Sequence, residues 1–218
     1  MHRPTRLVTT AALTVSAAVL LTACGSGGGD GGSSDKIEGA DGGGGAPASA
    51  SAEASRKPGG AKRPEVELPS GFEADFVGWT SGDPKKQAIL DDGREELRAK
   101  YAAIIEADPD ADAVAFYDTG ASLATARKWI KSFVETDDSL IGEIKAYNAK
   151  AHVTDDGAGV LFYCVDERKS ATKNRRTGKV TRTPDSPESV LQYRARLTKS
   201  PQGVWQTAAL ETVPGGCK

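Results

Sequence analysis

The sequence predicts an α+β domain, helices first and an antiparallel sheet after them, held behind a leader and a long polar tether. Three observations carry this. Apolar residues recur at helical spacing through the first half of the body, the period changes to two beyond Ser139, and a Gly, Ser, Ala and Pro tract separates the body from the amino end.

The amino end has a short basic stretch, His2, Arg3 and Arg6, followed by an apolar run from Leu7 through Leu21. At roughly 15 residues the run is shorter than the roughly 20 a spanning helix needs, so residues 1–23 read as a signal peptide. The run closes on Leu21-Thr22-Ala23-Cys24, which resembles the lipobox of bacterial lipoproteins. That resemblance implies a diacylglycerol on the Cys24 thiol, cleavage before it, palmitate among the acyl groups, and a place on the outer face of the cell membrane. Ordinary secretion, with Cys24 a free thiol at the new terminus, is the alternative reading.

Residues 24–70 contain Gly27-Gly28-Gly29 and Gly42-Gly43-Gly44-Gly45 and little that could be buried. They read as a flexible tether with a span of roughly 35 to 40 Å. The remaining stretch, 71–218, is on the order of 150 residues, the size of one domain. A formal net charge of -2 on 218 residues argues against a nucleic-acid binder and names no other partner.

Phe72, Phe76 and Trp79 mark the start of order. Asp83-Pro84 then opens a helix, because Asp83 can accept from free N–H groups and Pro84 suits the first helical position. Leu90, Leu97, Tyr101, Ile104 and Ile105 continue it, Gly93 costs it about 1 kcal/mol, and Pro109 ends it. A second helix over 121–135 carries the stripe Ala126, Trp129, Ile130, Phe133 and Val134. Aromatic residues at this spacing read as core, with a ligand-cavity lining as the alternative.

Tyr147, Ala149, Ala151 and Val153 alternate with Asn148, Lys150 and His152. Asp155-Asp156-Gly157 turns the chain into 160–165, apolar on both faces and so a central strand. A second pair, 190–198 and 204–213, meets at Ser200-Pro201-Gln202-Gly203.

This order resembles the superfamily of nuclear transport factor two, ketosteroid isomerase and the SnoaL-like cyclases, and more narrowly its lipid-anchored members in high-GC Gram-positive bacteria. The features that carry it are the helix ending near Glu106, the stripe Ala126 to Val134, Phe162-Tyr163-Cys164-Val165-Asp166, Thr177-Gly178-Lys179 and Gly203-Val204-Trp205. The resemblance implies helices packed on a curved antiparallel sheet, a cystatin-like cone enclosing a pocket, with a third helix that the sequence does not place. No catalytic motif of those enzymes carries over. The candidates for pocket chemistry are Asp118, His152, Tyr163, Asp166 and Tyr193, since a general base needs an inward carboxylate or imidazole.

Arg168, Lys169, Lys173, Arg175, Arg176, Lys179 and Arg182 form the one strong local charge feature, with no acid until Asp185. A solvated hairpin tip competes there with a contact to phosphate-rich wall polymer or anionic lipid. Only His2 and His152 are present, so no metal site or cofactor is expected. With Cys24 taken by lipid, Cys164 and Cys217 remain, and in an oxidising compartment they are expected to pair. The expected function is a non-catalytic binding or interaction module of the cell envelope whose partner is wall polymer, a small ligand or an envelope protein. A small isomerase or cyclase-like enzyme, and a structural accessory of a wall or membrane complex, are the alternatives.

Overall fold

The computed structural model describes residues 60–217, so the leader, Cys24 and most of the tether lie outside the described residues. Among those described, no helix is long and apolar enough to cross a membrane.

The packed region begins upstream of Phe72. Residues 61–69 hold neither helix nor strand, yet Val66 is buried, Arg98 donates to its carbonyl at 2.7 Å, and Arg63 reaches a buried carboxylate on the first helix. Composition alone assigned this stretch to the tether. Its docking rests on these two arginine contacts together with the packing of Val66 and Leu68.

Strand β1 (Phe72–Phe76) leads into helix α1 (Pro84–Glu106). Asp83 caps α1 by accepting from the Lys85 N–H at 2.8 Å, and Ala107 closes it in the left-handed conformation. Gly93 is needed for close approach: a Cβ there would lie 2.4 Å from Cδ2 of Leu161, a buried residue of the sheet. The propensity lost by glycine, about 1 kcal/mol, is smaller than the roughly 1 to 3 kcal/mol that overpacking a filled interface costs.

Helix α2 (Asp112–Tyr117) follows at once and buries Val114 and Tyr117. It is the third helix that the sequence left unplaced. Six residues give too few turns for a helical period to register. Helix α3 (Gly120–Glu135) then buries Ser122, Ala126 and Ile130 on one stripe.

The sheet comprises β1 with β2 (Asp138–Val153), β3 (Gly159–Asp166), β4 (Ser170–Asn174), β5 (Val180–Arg182), β6 (Val190–Lys199) and β7 (Trp205–Pro214). Its path runs β5-β4-β2-β3-β6-β7, antiparallel throughout, with β1 added in parallel to β2. The result is the expected α+β architecture, helices packed against a curved antiparallel sheet. As expected, β3 is central, between β2 and β6.

A bulge in β2 between Tyr147 and Lys150, with Asn148 at φ 54°, resets the alternation. Ala146 is fully buried on one side of the bulge while Ala149, Ala151 and Val153 pack on the core beyond it. Tyr147, read from the two-residue period as sharing their face, is instead paired with Cys164. Such a bulge bends and twists the strand.

Strands β3 and β4 run consecutively along β2, pairing with 145–153 and 138–142 respectively. The chain bends between them at 167–169, and Gly142 (φ 93°) admits the bend, since a Cβ there would lie 2.4 Å from the Lys169 carbonyl. That bend positions Glu167.

Leu161, Tyr163 and Val165 of β3 belong to the core, so Cys164 lies on the opposite, outer face. It forms a disulfide with Cys217 across a Cα separation of 6.1 Å, as the cysteine count predicts. The tail returns to β6 through the Gly215 N–H on Val190 and reaches β3 from there. The sequence separation is 53, so closing the loop restricts the unfolded chain by about 4 kcal/mol in the entropy account.

Candidate functional site

Between the inner face of the sheet and helices α1 and α3 the core does not close. A cavity of about 450 Å³ remains, lined by Phe72, Leu97, Tyr101, Ala126, Trp129, Phe133, Leu140, Ile144, Leu191, Tyr193 and Leu210, with Lys100, Ser122 and Glu167 among its polar groups. Ser170, Thr172, Thr183 and Thr212 add hydroxyls. The volume lies within the range of small-molecule sites, and an apolar lining with a few placed polar groups is their usual composition.

The walls follow from the local sequence. On α3, Trp129 and Phe133 are one turn apart and meet edge to face at 5.7 Å. Trp129 also stands edge-on to Tyr101 of α1 at 6.3 Å, and Tyr101 packs on Phe72 of β1 at 5.1 Å. The apolar stripe of α3 therefore supplies both core, through Ala126 and Ile130, and cavity wall, through Trp129 and Phe133. The cavity-lining alternative holds for the two aromatics.

Behind the wall lies a charged cluster. Lys100 pairs with Glu96 one turn back on α1 and with Asp118 at 3.1 Å, and all three are almost wholly buried. Ser122 of α3 donates to Asp118 at 2.6 Å, and Asp118 bridges to Thr207 of β7. Two carboxylates share one ammonium. Burial pushes Glu96 up to about 7, with the Asp118 carboxylate adding to the rise against the pull of Lys100. Burial pulls Lys100 down, but the two carboxylates more than reverse it and hold it raised.

Asp92, one turn before Glu96, is also buried. It takes a two-pronged ion pair from Arg63 at 2.8 Å and a hydrogen bond from the Trp205 N–H at 2.9 Å.

Glu167 enters the cavity from the bend between β3 and β4. Its N–H donates to Ser189, and its carbonyl accepts from the N–H and hydroxyl of Ser170. Burial raises its carboxyl to about 6, while the Tyr101 hydroxyl pulls the other way. The field of Glu167 also acts on Tyr193, which stacks parallel to Tyr163 at 4.8 Å.

Of the five residues proposed from sequence, Tyr193 lines the cavity. Asp118 lies one shell behind it, held by Lys100 and Ser122, both of which do line it. Tyr163, the cross-strand neighbour of Tyr193, is buried core and not cavity wall. His152 is exposed, because it lies on the solvent side of the alternation beyond the bulge. Asp166 is also removed from the cavity: it ends β3 on the outer side and accepts from Arg168, its nearest guanidinium, at 2.6 Å. Sequence reasoning missed Glu96, Lys100 and Glu167. The first two look like an ordinary exposed i, i+4 pair, and the third sits in a charged run where nothing signals which side chain turns inward.

The basic run is not a bare loop. It forms the β4–β5 hairpin, and most of its cations have local partners. Arg168 pairs with Asp166 and Asp185, Lys169 with Glu143, and Arg176 with Asp137. Arg175 donates to the carbonyls of Asp138, Ile104 and Ile105, thereby capping the end of α1. Lys173, Lys179 and Arg182 are exposed.

The cluster predicts a pH dependence. The folded-state pKa of Glu96, about 7, lies above its ordinary 4.5, so the folded protein holds an extra proton between these values. The associated stability is complete below about pH 4.5 and is lost as pH rises through about 7. Glu96→Gln keeps the shape of the protonated acid. Urea unfolding should show the variant more stable than wild type at pH 8, by on the order of 1 kcal/mol, with the fall between about pH 4.5 and 7 flattened. An unaltered fall would place the extra proton on another group.

No protein-family model matches this chain, and no curated protein matches it. Solved structures do. The intermembrane-space region of the chloroplast protein ARC6 is 9% identical, covering 62% of this chain and 99% of its own, with a TM-score of 0.45. A ketosteroid isomerase-like protein from Erwinia carotovora atroseptica is 20% identical over 60% of this chain and 95% of its own, with a TM-score of 0.41. A protein from Catenulispora acidiphila is 12% identical over 60% and 94%, with a TM-score of 0.43.

Proposed function

We propose that this chain is a lipid-anchored, extracytoplasmic module that holds a small molecule in the cavity of a cone of the nuclear-transport-factor-two and SnoaL-like kind. The observation that carries the binding role is the cavity of about 450 Å³ between α3 and the sheet. Protein interiors are close-packed, so volume of this size, walled by large side chains that stop short of filling it, reads as a place for an occupant. A purely structural accessory has no use for it.

The anchoring rests on the leader, the Cys24 lipobox and the tether. Each buried methylene contributes about 0.8 kcal/mol, so two acyl chains hold a protein almost permanently whereas the bare tether has no such hold. Metabolic labelling with an alkyne fatty acid should mark the wild-type protein and not Cys24→Ala, which should also leave the membrane fraction after a salt wash. Retention of the variant would show that lipid is not the anchor.

An isomerase or cyclase-like enzyme is the second reading, and Glu167 is the observation that favours it. A carboxyl raised to about 6, inside the cavity and beside Tyr101, suits a general base. One experiment addresses both. Native mass spectrometry of protein purified from its own cells should show a bound small molecule, absent from Leu210→Trp, whose ring intrudes into the cavity while the unfolding temperature stays near wild type. Conversion of the released molecule on re-addition to the protein, lost in Glu167→Gln, would assign the enzyme. Wild type and Leu210→Trp of identical composition would remove the binding role.

A further inference from the structure

The cavity has a charge preference as well as a size. Its ammonium, Lys100, is matched by two carboxylates, Asp118 at 3.1 Å and Glu96 closer still. Its carboxylate, Glu167, has no cationic partner among the described residues: the groups that act on it besides burial are the Tyr101 hydroxyl, which favours the ionised form, and the Asp166 carboxylate, which opposes it. An anionic ligand would meet a lysine already neutralised and a carboxylate that repels it. A neutral ligand would leave that carboxylate without a counter-ion in a largely apolar cavity, which costs free energy.

The rings point the same way. Phe72, Tyr101, Trp129, Phe133 and Tyr193 all line the cavity, and aromatic faces carry the negative side of the ring quadrupole. Glu167 lines the same cavity as these five rings. A carboxylate and several aromatic rings lining one cavity are the groups that stabilise an organic cation.

We infer that the occupant is an apolar molecule carrying a single amine cation, with Glu167 as its counter-ion and the surrounding rings as its cage. This rests on the binding role proposed above for the same cavity and adds the class of ligand. Aliphatic side chains, Leu97, Leu140, Ile144, Leu191 and Leu210, receive the apolar body, which gives most of the affinity. The ion pair then gives selectivity, since a charge-assisted hydrogen bond is roughly twice as strong as a neutral one.

The test compares three probes of one shape, 2-naphthylmethylamine, 2-naphthylmethanol and 2-naphthoate, titrated calorimetrically into the full chain at pH 7.5. The amine should bind about tenfold more tightly than the alcohol, a difference of about 1.4 kcal/mol, and the carboxylate should bind least. Glu167→Gln should bring the amine down to the level of the alcohol, whereas Glu143→Gln, an exposed carboxylate paired with Lys169, should keep the preference. An alcohol or carboxylate that binds as tightly as the amine overturns the assignment of a cation and leaves the cavity a binding site. Loss of the preference in both variants overturns the role of Glu167. Failure of all three probes to bind overturns the inference, and the native mass spectrum then decides separately whether the cavity binds anything.

Discussion

The stripe of charge that α1 turns inward ties the helical layer to the sheet and to the lead-in segment. Asp92, Glu96 and Lys100 follow one another at intervals of one turn, and all three are buried. Burying an ion costs several kcal/mol unless partners of good geometry offset it, so the helix has few placements in which the stripe can be satisfied. Asp92 must meet both Arg63 and the backbone of Trp205, while Lys100 must meet Asp118 at the junction of α2 and α3. These contacts set α1 over β7 in one register and pull the lead-in segment against it. The contact of Gly93 with Leu161 sets the distance.

Once α1 is placed, the cavity follows. Asp118 accepts from Ser122 in the first turn of α3, so the helix that carries Trp129 and Phe133 is tied to the same charged cluster that orients α1. The opposite wall is set by the sheet, where the bulge in β2 and the bend that Gly142 admits curve it and turn Glu167 inward. The disulfide lies on the outer face and fastens the tail to the central strand without entering the cavity. The disulfide and the cavity therefore lie on different faces of one sheet.

Much of this was legible in the sequence because it depends on local chemistry. Asp83-Pro84 marks a helix start through its cap, Val160 to Val165 is a central strand because both faces are apolar, and two cysteines left after Cys24 find each other. The rest depends on contacts distant in sequence. Glu96 and Lys100 carry the spacing of a surface pair, and only the approach of Asp118 makes them interior. Helix α2 is too short for its period to register, and β1, β4 and β5 are short strands recruited to the edges of longer ones. An alternation read across Tyr147 fails because a bulge changes its phase, and that bulge is visible only in the pairing with β3. His152 and Asp166 were plausible by residue type, but what selects a pocket residue is the direction in which the backbone bends, as at Glu167.

The central claim is a preformed, ligand-sized cavity between α3 and the sheet, and xenon tests it directly. Xenon enters apolar cavities without needing a specific partner. On the full-length protein with labelled methyl groups, pressurised xenon should shift Leu97, Ile144, Leu191 and Leu210, which line the cavity, and leave Ile89 and Ile130, buried in the filled core, where they were. Shifts that are absent, or that fall equally on both sets, would contradict the account, since the space between α3 and the sheet would then be packed solid in solution.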